Sequence, residues 1–241
     1  MTNAETPATG RLSVVATPIG NLEDITYRAV RVLGECDYLV CEDTRVTGKL
    51  LKHYDISTPM KRYDAHASDQ VHRTIIDDIT HGKHVALVSD AGTPGISDPG
   101  VRLIVLAREA GARIEAIPGP SALTAALSIA GLAGNAFTFL GYAPQKKGRQ
   151  TFFADLANYD HPVVFFESTH RIMKTLETLS ELPQPWRVTL ARELTKLHEE
   201  VQTGPPAELI ETLTALPVKQ KGEFVVMLTP AVAAAPDSAP A

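Results

Sequence analysis

Ser89, Asp90, Ala91, Gly92, Thr93, Pro94, Gly95, Ile96, Ser97 and Asp98 follow the apolar run Val85, Ala86, Leu87 and Val88. A buried strand that breaks into Gly92, Pro94, Gly95, Pro99 and Gly100 reads as a tight loop whose backbone comes close to a ligand. A plain crossover turn needs one or two such breakers, so their density favours the binding loop over the turn. Asp98 precedes the helical spacing Val101, Ile104, Val105 and Arg108, with Pro99 at the first helical position, and is expected to cap that helix. Two further loops have the same character: Thr17, Pro18, Ile19, Gly20, Asn21 after one strand candidate, and Pro118, Gly119, Pro120, Ser121 after another. Carboxylates and arginines stand at the mouth of these loops. The chemistry this predicts is the holding of a small organic cofactor in a loop-lined crevice.

Several other chemistries are excluded by what is missing. The chain has no G-x-G-x-x-G loop, no Walker P-loop, no G-x-S-x-G elbow and no H-E-x-x-H helix. Its eight histidines, His66, His72, His81 and His84 among them, lack ligand spacing, so no metal is expected. Cys36 and Cys41 do not form a C-x-x-C pair and read as buried thiols. A net charge of −5 argues against a general polyanion-coating protein but allows a local basic patch.

The elements that must position these loops alternate. Strand candidates at 12–16, 38–42, 60–63, 85–88 and 113–117 are separated by helical patterns at 25–33, 46–51, 71–79 and 101–108. The first of those helices is expected to close at Gly34. Such alternation predicts an α/β fold with a mostly parallel, doubly wound sheet, and the loops at one end of it form one rim. After the Ala-rich helix 122–130, residues 131–135 break the composition. Strands at 137–142, 163–166, 187–191 and 223–228 and helices at 151–157, 171–182 and 206–216 then make a second α/β unit with a mixed sheet. The expected organisation is a disordered leader 1–10, an N-terminal domain 11–121, a C-terminal domain 122–230 and a disordered Ala/Pro-rich tail 231–241. At 241 residues the chain accommodates two such domains; it has no signal-peptide pattern and no apolar run long enough for a membrane span, so a cytoplasmic protein is expected.

Read in order, residues 15–25, Glu42-Asp43-Thr44-Arg45, residues 89–100, Pro118-Gly119-Pro120-Ser121, residues 166–171 and residues 191–196 form a recognisable series. It resembles the ribosomal RNA small subunit methyltransferase I family, a branch of the tetrapyrrole-methylase-like superfamily, over about residues 11–228. The resemblance implies a two-domain α/β methylase that holds S-adenosylmethionine in the cleft between its domains. It implies methyl transfer to the ribose 2′-oxygen of a cytidine in the decoding region of 16S rRNA, within the small ribosomal subunit, by a homodimer. Carried over by position, the cofactor contacts are Pro18, Ser89, Asp90, Ala91, Gly92, Thr93, Ile96, Ser121, Ala122, Phe166, Ala191 and Arg192. Alone, Phe166 would read as core and Ser121 as a helix cap.

A ribose hydroxyl is a weak nucleophile, so a base, or a cation for the developing alkoxide, is expected. The catalytic candidates are Asp43, Arg45, Glu193 and Lys196, with Asp24 also on the rim; each pair reads equally well as a structural ion pair. Lys146, Lys147 and Arg149, with Tyr142 nearby, form the candidate phosphate-contacting loop. Two other readings stay open: a small-molecule methylase of the tetrapyrrole type, and a non-catalytic cofactor-binding regulatory module.

Overall fold

The computed structural model describes residues 10–98, 100–132 and 136–230. The leader before residue 10, Pro99 at its expected helical position, residues 133–135 of the composition break and the tail from 231 lie outside the described residues. The chain divides into two compact units, Met1–Ser121 and Ala122–Ala241.

The first unit is a parallel sheet with helices on both faces. Its strands are β1 (Arg11–Val15), β2 (Tyr38–Cys41), β3 (Met60–Arg62), β4 (His84–Val88) and β5 (Arg113–Ile117), in the order β3-β2-β4-β1-β5. All four pairings are parallel. The helices are α1 (Tyr27–Glu35), α2 (Thr44–His53), α3 (Asp69–Thr80) and α4 (Val101–Glu109). Alternate strand residues explain why both faces are covered. Val15, Leu39, Cys41, Ala86 and Val88 pack with Ala29, Val32 and Leu33 of α1 and Leu51 of α2. Leu12, Tyr38, Val40, Val85 and Leu87 pack with Ile75 and Ile79 of α3 and Leu103 and Ala107 of α4. Strands buried on both sides carry near-continuous apolar runs, which is what β2 and β4 do.

Two expected helix ends move. Helix α1 passes through Gly34 to Glu35 and is capped at Cys36, whose N–H bonds Val32 O. Gly34 is exposed with nothing around it, so a helical conformation there meets no obstacle. Helix α4 is capped by Gly100 and not by Asp98. The turn packs so tightly on β4 that a Cβ on Gly100 would lie 3.0 Å from Leu87 Cδ2, and the chain passes there at φ +130°, where glycine is favoured.

The second unit follows helix α5 (Ala122–Ile129). Its strands are β6 (Thr138–Tyr142), β7 (Val163–Ser168), β8 (Trp186–Arg192), β9 (Glu200–Gly204) and β10 (Glu223–Pro230), in the order β6-β7-β10-β8-β9. Only β6 and β7 run parallel; the sheet is mixed. Helices α6 (Arg149–Ala154), α7 (Ile172–Ser180) and α8 (Pro206–Ala215) cover it. Phe153, Phe165, Ile172, Leu176, Leu209 and Val226 are central to its core. Strand β9 is not legible in the sequence. It is an edge strand whose residues alternate only weakly between half-buried and exposed, the polar pattern that edges favour. Helix α6 also starts two residues earlier than the spacing predicts and passes into a 3-10 turn at Asp155–Asn158.

Candidate active site

Parallel strands deliver the loops after β1, β2, β4 and β5 to one edge of the first sheet, where α/β folds bind ligands. These loops are tied to one another by hydrogen bonds. Thr17 and Gly92 form an antiparallel bridge, Thr17 N–H donating to Gly92 O at 2.9 Å and Gly92 N–H to Thr17 O at 3.0 Å. The Thr17 hydroxyl donates to Ser89 O at 3.0 Å and the Thr93 hydroxyl to Pro120 O at 3.1 Å. Asp43 N–H donates to Asp90 Oδ1 at 3.0 Å. Four loops that are distant in sequence are thus tied into one rim through the loop after β4.

The backbone of the central loop is bent by left-handed residues. Gly92 lies at φ +84° and Gly95 at +85°; Ser97, with a side chain, lies at +64°. Non-glycine residues there carry local strain, which persists only where the surroundings enforce it. Of the residues expected to touch a cofactor, Ser89 and Gly92 are buried beneath the rim, while Ala91 and Ile96 are exposed on it; Pro18, Asp90 and Thr93 are half-buried. Gly92 uses both of its backbone groups for Thr17, so it contributes shape rather than a free donor. Ser121 and Ala122 stand at the entry to α5.

The rim is acidic. Glu42, Asp43, Asp90 and Asp98 belong to it, Asp64 stands on the loop after β3, and Asp24 closes the turn after β1. Asp24 Oδ2 is buried without a hydrogen-bond partner. An orphaned carboxylate oxygen and a ring of carboxylates suit a ligand bearing positive charge and N–H donors, and a sulfonium amino acid has both.

The carboxylates differ in how readily they accept a proton. The Arg45 guanidinium and backbone N–H hold Asp43 well below the usual carboxylate range. Arg45 chelates Asp43, with Nη2 to Oδ2 at 2.6 Å and Nε to Oδ1 at 3.0 Å, while Asp43 Oδ1 also caps α2 through Arg45 N–H. Glu42 moves upward, by burial and then by the nearby Asp90 and Asp64 charges. Asp98 is pushed up to about 6, by burial first and then by Glu42 and Asp90, with a Ser89 hydrogen bond acting against them. The spacing around residues 89–100 gives no sign that Asp98 differs from its neighbours. Its signal is three-dimensional: strands β2 and β4 bring Glu42 and Asp90 to it.

The other expected residues belong to the second unit. Glu193 and Lys196 form a pair at 2.9 Å, and Lys196 also reaches Glu223 at 2.8 Å. Burial alone would raise Glu193, but Lys196 and the Glu223 N–H outweigh it and lower its pKa. Burial would lower Lys196, but Glu223 and Glu193 raise it. Both therefore stay charged, which suits an anchored turn. That turn is bent, with Glu193 at φ +51° and Thr195 at +63°. Ala191 and Arg192 end β8, buried; Arg192 donates to Lys221 O at 3.3 Å. Phe166 on β7 meets Phe139 and Tyr142 edge to face at 5.0 and 5.2 Å.

One expectation is overturned. Arg149 does not belong to an exposed basic loop. It is 8% exposed and hydrogen-bonds Glu167 Oε2 at 3.3 Å, the Thr175 hydroxyl at 2.7 Å and Pro144 O at 3.1 Å. Glu167 is fully buried on β7 and also takes Arg171 Nε at 2.7 Å, so the core requires the guanidinium that the sequence left for phosphate. Lys146 and Lys147 remain exposed. Among the described residues no cluster of His, Cys, Asp and Glu is arranged to hold a metal ion, and no helix is long and apolar enough to cross a membrane.

A parallel sheet with a Gly/Pro rim, followed by a mixed sheet, is the architecture of a class of methyltransferases. The model describing Tetrapyrrole (Corrin/Porphyrin) Methylases matches residues 11–210. A solved cobalt precorrin-4 methyltransferase of cobalamin biosynthesis superposes with a TM-score of 0.69 at 17% identity, over 94% of this chain and 98% of that one. A uroporphyrin-III C-methyltransferase from Thermus thermophilus, solved with S-adenosylhomocysteine, superposes with a TM-score of 0.59 at 17% identity, over 91% and 97%. At these identities the likeness concerns the fold. The sequence itself goes further: it is 43% identical over 232 residues to the ribosomal RNA small subunit methyltransferase I of Vibrio cholerae, covering 95% of this chain and 81% of that protein. The chain belongs to the ribosomal RNA small subunit methyltransferase I family, within the tetrapyrrole methylases.

Proposed function

We propose that this protein transfers a methyl group from S-adenosylmethionine to the ribose 2′-oxygen of a cytidine in the decoding region of 16S rRNA. The observation that carries the reading is the identity with the Vibrio cholerae rRNA methyltransferase, which extends over 95% of this chain. The acidic rim supports it from the side of the donor. Asp24, with its orphaned oxygen, and the 89–96 loop, with Pro18 beside it, are the groups that would hold the donor's charged end. When bound, the donor supplies an electrophilic methyl on a sulfonium. The protein's own part is alignment of that methyl with a sugar hydroxyl, an effect able to supply much of the acceleration.

The substrate is an assembled small ribosomal subunit, and the protein works as a cytoplasmic homodimer. Lys146 and Lys147, two neighbouring exposed cations of the second unit, are offered to phosphate. The test uses small subunits from cells lacking this protein, incubated with labelled donor and then mapped for 2′-O-methyl ribose. Label at one cytidine of the decoding region supports the reading. Label only in a porphyrinoid would favour the small-molecule alternative. Donor binding without transfer to either would favour a regulatory module.

A further inference from the structure

We propose that Asp98 accepts the proton of the ribose hydroxyl, in a hollow that receives one sugar of an RNA chain whose phosphates pass along an adjoining groove by Arg102 and Arg73. The proposal rests on the reading of the reaction just given and adds to it the base, the sugar subsite and the path of the chain.

The hollow has a volume of about 180 Å³ and is lined by Tyr63, Asp64, His72, Asp98 and Arg102, among others. Pockets that enclose a whole small ligand run to roughly 300–1,000 Å³. This one fits a part of a larger molecule. It shares His72 and Arg102 with a shallow groove of about 320 Å³ between α3 and α4, where Asp69, Arg73 and Asp77 also stand. One residue of a polymer in the hollow, with its neighbours along the groove, suits these dimensions. Arg102 Nη2 pairs with Asp69 Oδ1 at 2.6 Å, and both side chains are largely exposed. An exposed pair of this kind is worth little, so a phosphate can replace the aspartate with little loss. Arg73 donates to Gln70 Oε1 at 3.2 Å, a neutral partner that leaves its charge available.

The groups facing Asp98 come from every element around it, and the others are committed. His72 contacts Ser68 O through Nδ1 at 2.9 Å and the Tyr63 hydroxyl through Nε2 at 3.1 Å. The Ser68 carbonyl can only accept, so Nδ1 donates to it, and the Tyr63 hydroxyl occupies Nε2; both ring nitrogens already have partners within the protein. Asp64 pairs with Arg62 at 3.0 Å and accepts His66 N–H at 2.9 Å. Asp90 accepts Asp43 N–H, and Asp43 is chelated by Arg45. Glu42 and Asp90 act on Asp98 by repulsion, and together with burial they bring it to about 6, near the range where a base both is ionised at neutral pH and binds a proton usefully.

The step balances without a further reactant. A lone pair of the hydroxyl oxygen forms the bond to the methyl carbon, the carbon–sulfur bond breaks with its pair going to sulfur as a neutral thioether, and the O–H proton passes to Asp98 and then to water.

The test uses the full chain with unmodified small subunits between pH 5 and 9. For the wild type kcat should fall below about pH 6. Asp98→Asn should lower kcat by about 100-fold or more while donor affinity stays within about twofold. Glu42→Gln should move the acidic limb to lower pH, which a merely structural Asp98 would not produce. Carbon-13 NMR of labelled aspartate provides a readout without turnover: the resonance absent in Asp98→Asn should titrate near 6 and shift downward in Glu42→Gln. Arg73→Ala with Arg102→Ala should raise KM for the subunit about tenfold with kcat little changed. An Asp98→Asn enzyme with wild-type kcat, or an acidic limb unmoved in Glu42→Gln, overturns the base; an unchanged KM in the double variant overturns the groove. A wild type that binds the donor and methylates no RNA removes the underlying reading as well, so the two failures are distinct.

Discussion

The backbone N–H of Asp43 donates to Asp90 Oδ1 at 3.0 Å, joining the loop after β2 to the loop after β4. One residue's main chain thus solvates the other's side chain. The consequence is a rim in which the ligand loop and the start of α2 move together. Asp90→Ala removes the acceptor and should lower stability by about 1–2 kcal/mol, with a larger proportional loss in donor affinity because the 89–96 loop is released. Asp90→Asn keeps an amide oxygen for the same N–H and should be nearly as stable as the wild type. Thermal melts and donor-binding calorimetry on both variants check this; equal donor affinity in Asp90→Ala would show that the crosstie does not order the loop.

Gly10 enters β1 against the turn between α3 and β4. A Cβ there would lie 2.2 Å from Lys83 O and 2.4 Å from Ile79 O, both backbone atoms that cannot step aside. Gly10→Ala should therefore cost about 1–3 kcal/mol, the range for overpacking a tight interior. The measurement is the denaturation midpoint, with Gly34→Ala as comparison: its Cβ meets nothing and it replaces an exposed helical glycine, so a gain of up to about 1 kcal/mol is expected.

Arg149 and Glu167 make opposite predictions for stability and for RNA. Glu167→Ala leaves two guanidinium groups, Arg149 and Arg171, without their shared carboxylate and should cost about 3–5 kcal/mol. Arg149→Ala leaves Glu167 with Arg171 and Thr175 and should cost less. The salt dependence of subunit binding should be the same in folded Arg149→Ala as in the wild type. Lys146→Ala with Lys147→Ala should flatten it, by about one unit of slope for each phosphate that the lysines neutralise. A slope changed by Arg149→Ala and unchanged by the lysine pair would reverse the assignment.

These residues also mark how far the sequence can be read. The alternation of Val-rich runs and amphipathic helices predicts the first sheet well, because strands buried on both faces have little freedom in composition. The rim is legible for the same reason: Gly92, Pro94 and Gly95 have few structural uses in such density. Arg149 misleads because a charge in a Lys-Lys-Gly-Arg run looks solvated, and its partner Glu167 is a strand away in sequence. Strand β9 escapes notice because its pairing with β8, Leu190 opposite Gln202 for example, is mostly backbone and leaves little apolar pattern. The expected cap at Asp98 fails because the space above Leu87 admits only a glycine at the helix start. In each case the missing information is a long-range neighbour.

The raised pKa of Asp98 carries a consequence for stability that runs opposite to the familiar carboxylate case. Its folded value of about 6 lies above the ordinary value of 3.8 that the unfolded chain retains. Between those values the folded state holds a proton that the unfolded state has released. The contribution of Asp98 to stability therefore falls as pH rises through that window, and above it the full penalty for a half-buried charge near Glu42 and Asp90 remains. Asp98→Asn removes the charge and should melt at a higher temperature than the wild type at pH 7–8. The advantage should shrink as pH falls from about 6 toward 4, where the wild-type carboxyl is neutral too. Glu42→Gln should capture part of the same gain, since it removes one of the repelling charges. A variant that is more stable and less active at neutral pH is the pattern expected of a group kept for chemistry at the expense of the fold. Melting curves of the three proteins across pH 4–8 decide it: an Asp98→Asn difference that is flat with pH would mean that the side chain is already neutral, or already solvated, throughout the range.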